Sequence, residues 1–220
     1  MKPVLYVGNR NYSSWSLRPW LVLTWAGLDF ETRAIKLGGP GYGKRQIAEV
    51  LAVSPSGTVP VLHVDGEIVT DSLAISEWAA DKVPTLWPED AVARAQARAA
   101  ACEMHSGFGA VRSHLPCNIR RRTEPRTFDE DVRREIARIE SLWTGLRARF
   151  GNGGPYLFGA APGIADAFYT PIATRFRTYG VKLAPGAQAY AETLLTNPAF
   201  CTWEQAALAE EWTMPTWDSV

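Results

Sequence analysis

What most constrains the fold is the point at which strand-like periodicity stops. The chain has 220 residues. Up to residue 82 it reads as strand, helix, strand, short helix, hairpin and helix, and after residue 90 nothing reads as a strand. Residues 3–8 (PVLYVG) form a Val- and Tyr-containing run that ends in glycine, which fits a strand. Leu17, Trp20, Leu21, Thr24, Trp25 and Leu28 then recur at helical spacing, with Pro19 near the first turn and Gly27 at the close. Residues 29–37 read as a second strand. The glycine-rich stretch 38–43 (GGPGYG) reads as a loop leading to a short helix that ends at Leu51. Residues 59–64, Asp65-Gly66 and residues 67–70 have the pattern of a hairpin, because Asp-Gly suits the tight turn between paired strands. Residues 71–82 read as a helix capped by Ser72.

The segment 83–90 (VPTLWPED) contains two prolines and reads as a linker. The expected division is therefore 1–82, a linker at 83–90, and 91–220. In the last part, one alanine-rich helix is expected from 91 to 115. Val132, Ile136, Ile139, Trp143, Leu146 and Phe150 form a stripe with steps of three or four. Helices are also expected over 163–179, 186–195 and 197–207. An α/β unit followed by an all-helical unit is the fold class these patterns imply.

Lys plus Arg equals Asp plus Glu at 23 each, which argues against a nucleic-acid or anionic-membrane partner. The basic run Arg120-Arg121-Arg122 reads as a solvated loop. No apolar run approaches the roughly 20 residues that span a bilayer, and the apolar stretch near the start is too short for a secretory leader. A cytoplasmic protein is expected. Cys102, Cys117 and Cys201 are odd in number and widely spaced, and His63, His105 and His114 show no ligand spacing. Free thiols and no metal site are expected.

Three local features bear on chemistry. Tyr12-Ser13-Ser14-Trp15-Ser16-Leu17-Arg18 puts hydroxyls at the positive end of a helix, where an anion is stabilised; serines there also serve as plain N-caps. Thr58-Val59-Pro60 places a proline at the entry of a strand, where a missing N–H is tolerated. Asp71-Ser72 opens a helix and offers a carboxylate for an ammonium group and a hydroxyl for a carboxylate, or a simple capping pair.

The order and spacing of these features resemble the glutathione transferase family, over essentially the whole chain. The SSxSxR pattern is closest to the zeta-like serine transferases, which carry a cysteine where Trp15 stands. Gly163-Ile164-Ala165-Asp166 resembles the family's capping box in its helical domain, with glycine in place of the hydroxyl residue. The resemblance implies a thioredoxin-like N-terminal domain, an all-helical C-terminal domain and a homodimer. It implies glutathione as co-substrate, with no metal, and a small electrophile as the other substrate, in a detoxification role. Ser13 matches the hydroxyl that bonds the glutathione sulfur, with Ser14 the close alternative. Val59 matches the partner of the cysteinyl backbone, Pro60 the cis proline, and Asp71 and Ser72 the γ-glutamyl site. Thr58 stands where the family often has Lys or Gln, leaving Lys44 or Arg45 for the glycine carboxylate. The electrophile is expected against Met104, His105, Phe108 and Arg112, with Arg175 and Arg177 as further holders of an anion. The implied activity is attack of the thiolate on an electrophile. A glutathione-dependent isomerase and a non-catalytic binding protein of the same fold are the alternatives.

Overall fold

The computed structural model describes residues 2–219. The first part is built from β1 (Val4–Val7), α1 (Ser14–Trp25), β2 (Glu31–Ala34), α2 (Ala48–Leu51), β3 (Val61–Val64), β4 (Glu67–Thr70) and α3 (Ser72–Lys82). The sheet order is β2-β1-β3-β4, with β1 and β2 parallel and the other pairs antiparallel. The parallel pair needs a crossover, which α1 supplies; the antiparallel pair needs only a turn. Val64 pairs with Glu67 around Asp65 and Gly66, both at positive φ (51° and 88°), as a two-residue hairpin turn requires. Leu5, Val7, Leu62 and Val64 face the core beneath α1 and α3.

A 3₁₀ turn (Pro84–Leu86) leads into the helical part: α4 (Ala91–Ser106), α5 (Gly109–His114), α6 (Glu130–Phe150), α7 (Ile164–Thr178), α8 (Pro185–Thr196), α9 (Pro198–Ala209) and α10 (Pro215–Asp218). The α6 stripe buries Val132, Ile136, Ile139, Trp143 and Leu146. Helix α7 is buried on every face, Arg177 alone excepted, so it forms the axis on which α1, α4 and α8 pack. Its N-terminus is fixed by Asp166, which accepts from Gly163 N (2.9 Å), Leu157 N (3.1 Å) and the Tyr190 hydroxyl (2.7 Å). Burial pushes the Asp166 carboxyl up from its ordinary value, against the pull of those three donors.

Two expectations are corrected. The segment expected as one helix over 91–115 breaks at Gly107–Phe108. Phe108 adopts a left-handed conformation (φ 58°), and a Cβ on Gly107 would lie 2.7 Å from the Glu103 carbonyl oxygen. The two glycines thus end one helix and start another. The second correction concerns α3, whose cap is Asp71, not Ser72: the Asp71 carboxylate accepts from Leu73 N (2.7 Å) and Ala74 N (3.4 Å). Among the described residues, no helix is long and apolar enough to cross a membrane.

Candidate active site

The loop between β1 and α1 turns on Asn9, whose carbonyl accepts from Tyr12 N and Ser13 N. Ser13 is the N-cap of α1. Its Oγ accepts from Ser16 N (3.3 Å) and donates to Ser16 Oγ (2.8 Å), which also accepts from Gly8 N (3.0 Å). A serine has one proton to give, and that of Ser13 goes to Ser16. Ser14 is the first residue of α1, and its Oγ accepts from Arg175 Nη2 at 3.4 Å.

Ser13 forms part of a cleft of about 410 Å³, together with Thr58, Val59, Arg45, Tyr42, Met214 and Trp217. That volume is in the range of small-molecule sites. The Val59–Pro60 bond is cis. Arg45, and not Lys44, stands on the cleft wall; both side chains are exposed. Asp71, Ser72 and Pro60 are not wall residues. Asp71 holds φ 77° with ψ 138°, a positive-φ conformation that costs a non-glycine residue energy and that tends to be kept at functional positions. Ser72 Oγ is buried without a partner. A buried polar atom of this kind is unusual in folded proteins and leaves a donor free for a ligand.

A second cavity of about 200 Å³ shares Tyr12, Trp15, Tyr42 and Trp217 with the first, and adds Ser14, Arg112, Pro116, Cys117 and Arg175. Its chemistry is set by arginines. Arg18 is 1% exposed and Arg175 6% exposed. The guanidinium of Arg18 lies 4.4 Å from the Trp15 ring and 4.9 Å from the Phe168 ring; that of Arg112 lies 4.8 Å from Trp15. Arg112 also donates to the Met104 and His105 carbonyls at the C-terminus of α4. Among the described residues, none of the three has a carboxylate in ion-pair distance, and each has a buried Nε without a partner. Burial lowers the pKa of all three. Arg112 comes down to about 10, with Arg175 adding to the effect of burial and Glu135 opposing it, so it remains charged at neutral pH. Desolvating one such ion costs several kcal/mol, so the unneutralised guanidiniums of Arg112 and Arg175 on one cavity, with the charge of Arg18 close enough to act on them, favour an anion there.

His105 also faces this cluster. Its Nε2 is 3.4 Å from Asp71 Oδ2, its Nδ1 is buried without a partner, and its ring meets Trp15 edge-on. Burial lowers its pKa below the ordinary value; Arg18 and Arg112 act the same way and Asp71 opposes them. Met104 and Phe108, expected beside the electrophile, are buried in the helical core, with Phe108 against Tyr169. Arg177 turns away to Glu204. Trp15 and Arg18 belong to the serine motif singled out in the sequence but carried no expected role there; Met214 and Trp217 were not anticipated at the site. The Ser14–Arg18 spacing of four on α1 is the one sequence signal that could have indicated any of them. Among the described residues no cluster of three or more His, Cys, Asp or Glu could hold a metal ion.

The fold and this loop define a class: thioredoxin-like proteins with a helical second half and a hydroxyl, not a cysteine pair, at the start of α1. Two family models match the chain, the glutathione S-transferase N-terminal domain over residues 12–82 and the C-terminal domain over residues 129–207. The chain belongs to the glutathione S-transferase family. It is 30% identical over 206 residues to a maleylacetoacetate isomerase of Pseudomonas aeruginosa, covering 89% of this chain and 92% of that protein. A maleylpyruvate isomerase of Ralstonia is 30% identical over 199 residues, covering 82% and 85%. A solved glutathione transferase homolog from Burkholderia, with bound glutathione, superposes with a TM-score of 0.71 at 23% identity, covering 96% of this chain and 100% of that one.

Proposed function

We propose that the protein is a glutathione-dependent isomerase of small, unsaturated, anionic acids of the maleyl type. The observation that carries this reading is the half-buried Arg112 and the buried Arg175 on the wall of one cavity beside the serine loop, with the buried Arg18 against Trp15, none of them with a carboxylate in ion-pair distance among the described residues. The relatives named as isomerases support it. Glutathione supplies the thiolate, which adds to the double bond, lets it turn, and leaves again, so that none is consumed.

The chain's own residues do the rest. Ser13 turns its proton from Ser16 to the sulfur and, with the N-terminus of α1, favours the thiolate over a thiol that ordinarily titrates near pH 8.5. Val59 pairs with the cysteinyl backbone, Ser72 Oγ donates to the γ-glutamyl carboxylate, Asp71 faces its ammonium group, and Arg45 meets the glycine carboxylate. Arg112 and Arg175 hold the carboxylate of the second substrate and stabilise the charge that the addition drives toward it. A cytoplasmic homodimer completes the reading.

Conjugation to a small electrophile is the second reading. Trp15 forms a wall of both cavities and narrows the space in which a substrate would turn, and conjugation needs no turning. Proton NMR of maleylpyruvate or maleylacetoacetate with substoichiometric glutathione separates the two. Accumulation of trans product with glutathione unconsumed supports the isomerase. A stable adduct formed one for one supports conjugation. No reaction in the presence of glutathione overturns both.

A further inference from the structure

Of the run Arg120-Arg121-Arg122, expected as a solvated loop, Arg120 and Arg121 instead turn toward the C-terminal segment, while Arg122 donates to the Ile119 and Arg121 carbonyls of its own loop. Arg120 donates to the Trp212 carbonyl (2.7 Å), to the Glu210 carbonyl and to the Tyr12 hydroxyl (3.2 Å). Arg121 donates to the Asp218 carbonyl (2.6 Å). The Asp218 carboxylate accepts from the Tyr12 hydroxyl (2.9 Å) and from Asn118 Nδ2 (2.7 Å). Met214 N also donates to the Tyr12 oxygen (3.2 Å). The Tyr12 hydroxyl therefore has its one donor and both acceptor positions in use, all on groups that bind the segment. Tyr12 is the residue immediately before Ser13.

The same segment walls the larger cleft. Met214 and Trp217 face it, and the Trp217 indole donates to the Tyr42 hydroxyl (3.1 Å) on the glycine-rich loop. Over 211–219, Met214 is the one buried side chain, and α10 buries none. A segment held by polar bonds at its ends and by a single apolar side chain can open without unfolding the core.

We propose that residues 210–218 are a strap that closes over the glutathione cleft, and that Asp218 is a positioning residue which fixes the serine loop through Tyr12. The proposal rests on the reading that the cleft takes glutathione. In this arrangement the sulfur seat is aligned only when the strap is latched, and glutathione enters and leaves when Asp218 releases Tyr12. A hydroxyl donating to a carboxylate makes a stronger latch than one between neutral groups.

The test compares wild type with Asp218→Ala, Asp218→Asn and a chain ending at Trp212. Amide hydrogen exchange over residues 11–17 is read without ligand, and the rates of glutathione binding and release are read by stopped-flow tryptophan fluorescence. Asp218→Ala should raise exchange in that loop by about tenfold. Asp218→Asn, which keeps one acceptor oxygen, should recover most of the protection. The chain ending at Trp212 should bind and release glutathione about tenfold faster or more, with kcat falling further than KM changes. A purely structural role would lower the melting temperature without separating kcat from KM. If the shortened chain does not fold, Trp217→Ala and Asp218→Ala carry the rate measurement. Unchanged exchange in both Asp218 variants, or unchanged glutathione rates without the strap, would overturn the proposal. Should wild type take up no glutathione while exchange responds as expected, the latch stands and the reading of the cleft fails.

Discussion

Replacing Ser13 by alanine separates two jobs that the structure gives to one hydroxyl. Its oxygen caps α1 by accepting from Ser16 N, and its proton goes to Ser16 Oγ. To serve a sulfur anion, Ser13 must give up the bond to Ser16, worth about 0.5–1.5 kcal/mol, for one to a charged acceptor, worth about 1.5–3 kcal/mol. The difference is about 1 kcal/mol, or roughly 0.7 of a pKa unit on the bound thiol. The helix N-terminus contributes a further ~0.3–1 kcal/mol that survives the substitution. Ser13→Ala should therefore raise the thiol pKa by slightly under one unit and cut turnover at neutral pH about fivefold. The two enzymes should converge as pH rises above both thiol pKa values, because the thiolate is then fully formed in each. Loss of the cap should cost about 1 kcal/mol of stability at any pH. The ultraviolet absorbance of the thiolate, titrated in the binary complex, reads the shift, and urea unfolding reads the cap. If the titration stays put in Ser13→Ala but moves in Ser14→Ala, the sulfur donor is Ser14 and the proton-exchange argument is wrong.

The arginine cluster predicts opposed effects on stability and activity. Arg175→Met removes a buried, unneutralised charge and should raise the melting temperature, by a stability gain of about 1 kcal/mol or more. It should also raise KM for an anionic substrate about tenfold while leaving that for glutathione nearly unchanged; scanning calorimetry and steady-state kinetics check both halves, and a lower melting temperature with unchanged KM would make Arg175 a structural pin. His105 has a pKa held below its ordinary value in the folded chain, first by burial and then by Arg18 and Arg112. As pH falls below about 6.5 the unfolded chain takes up that proton first, so stability should fall from there down to the lower folded pKa. Urea midpoints of His105→Gln should vary less with pH across that window than those of wild type, and an unchanged pH dependence would contradict the assignment.

The α/β half was legible because its signals are local. Alternating Val and Leu, the Asp65-Gly66 turn and the Gly27 stop each act within a few residues. The break at Gly107–Phe108 was missed because two glycines six and eight residues beyond Ala101, where the alanine-rich run ends, lower helix propensity without saying whether the helix survives. Here the left-handed Phe108 ends it. Asp71 displaced Ser72 as the cap because a carboxylate one residue earlier reaches both Leu73 N and Ala74 N. Of the site, Ser13 and Val59 were legible from motif and spacing. Met214 and Trp217 were not, since they reach the cleft from some 200 positions along the chain and carry no pattern of their own. Arg112 and Arg175 were each expected toward the second substrate, but that they wall one cavity while Arg177 turns away depends on tertiary placement that no local pattern carries. The inward turn of Arg120 and Arg121 is invisible in composition, because a solvated guanidinium and one bound to backbone carbonyls look alike in sequence.

A crystal structure grown with glutathione would show which group holds the sulfur. The sulfur is expected within hydrogen-bond reach of Ser13 Oγ, the Ser13–Ser16 side-chain bond broken, the cysteinyl backbone along Val59, and the γ-glutamyl carboxylate on Ser72 Oγ. The second cavity, walled by Arg112 and Arg175, is expected to stay free for the other substrate. Glutathione lying in that arginine cavity, or a sulfur beyond reach of both Ser13 and Ser14 with the Ser13–Ser16 bond intact, would contradict that placement.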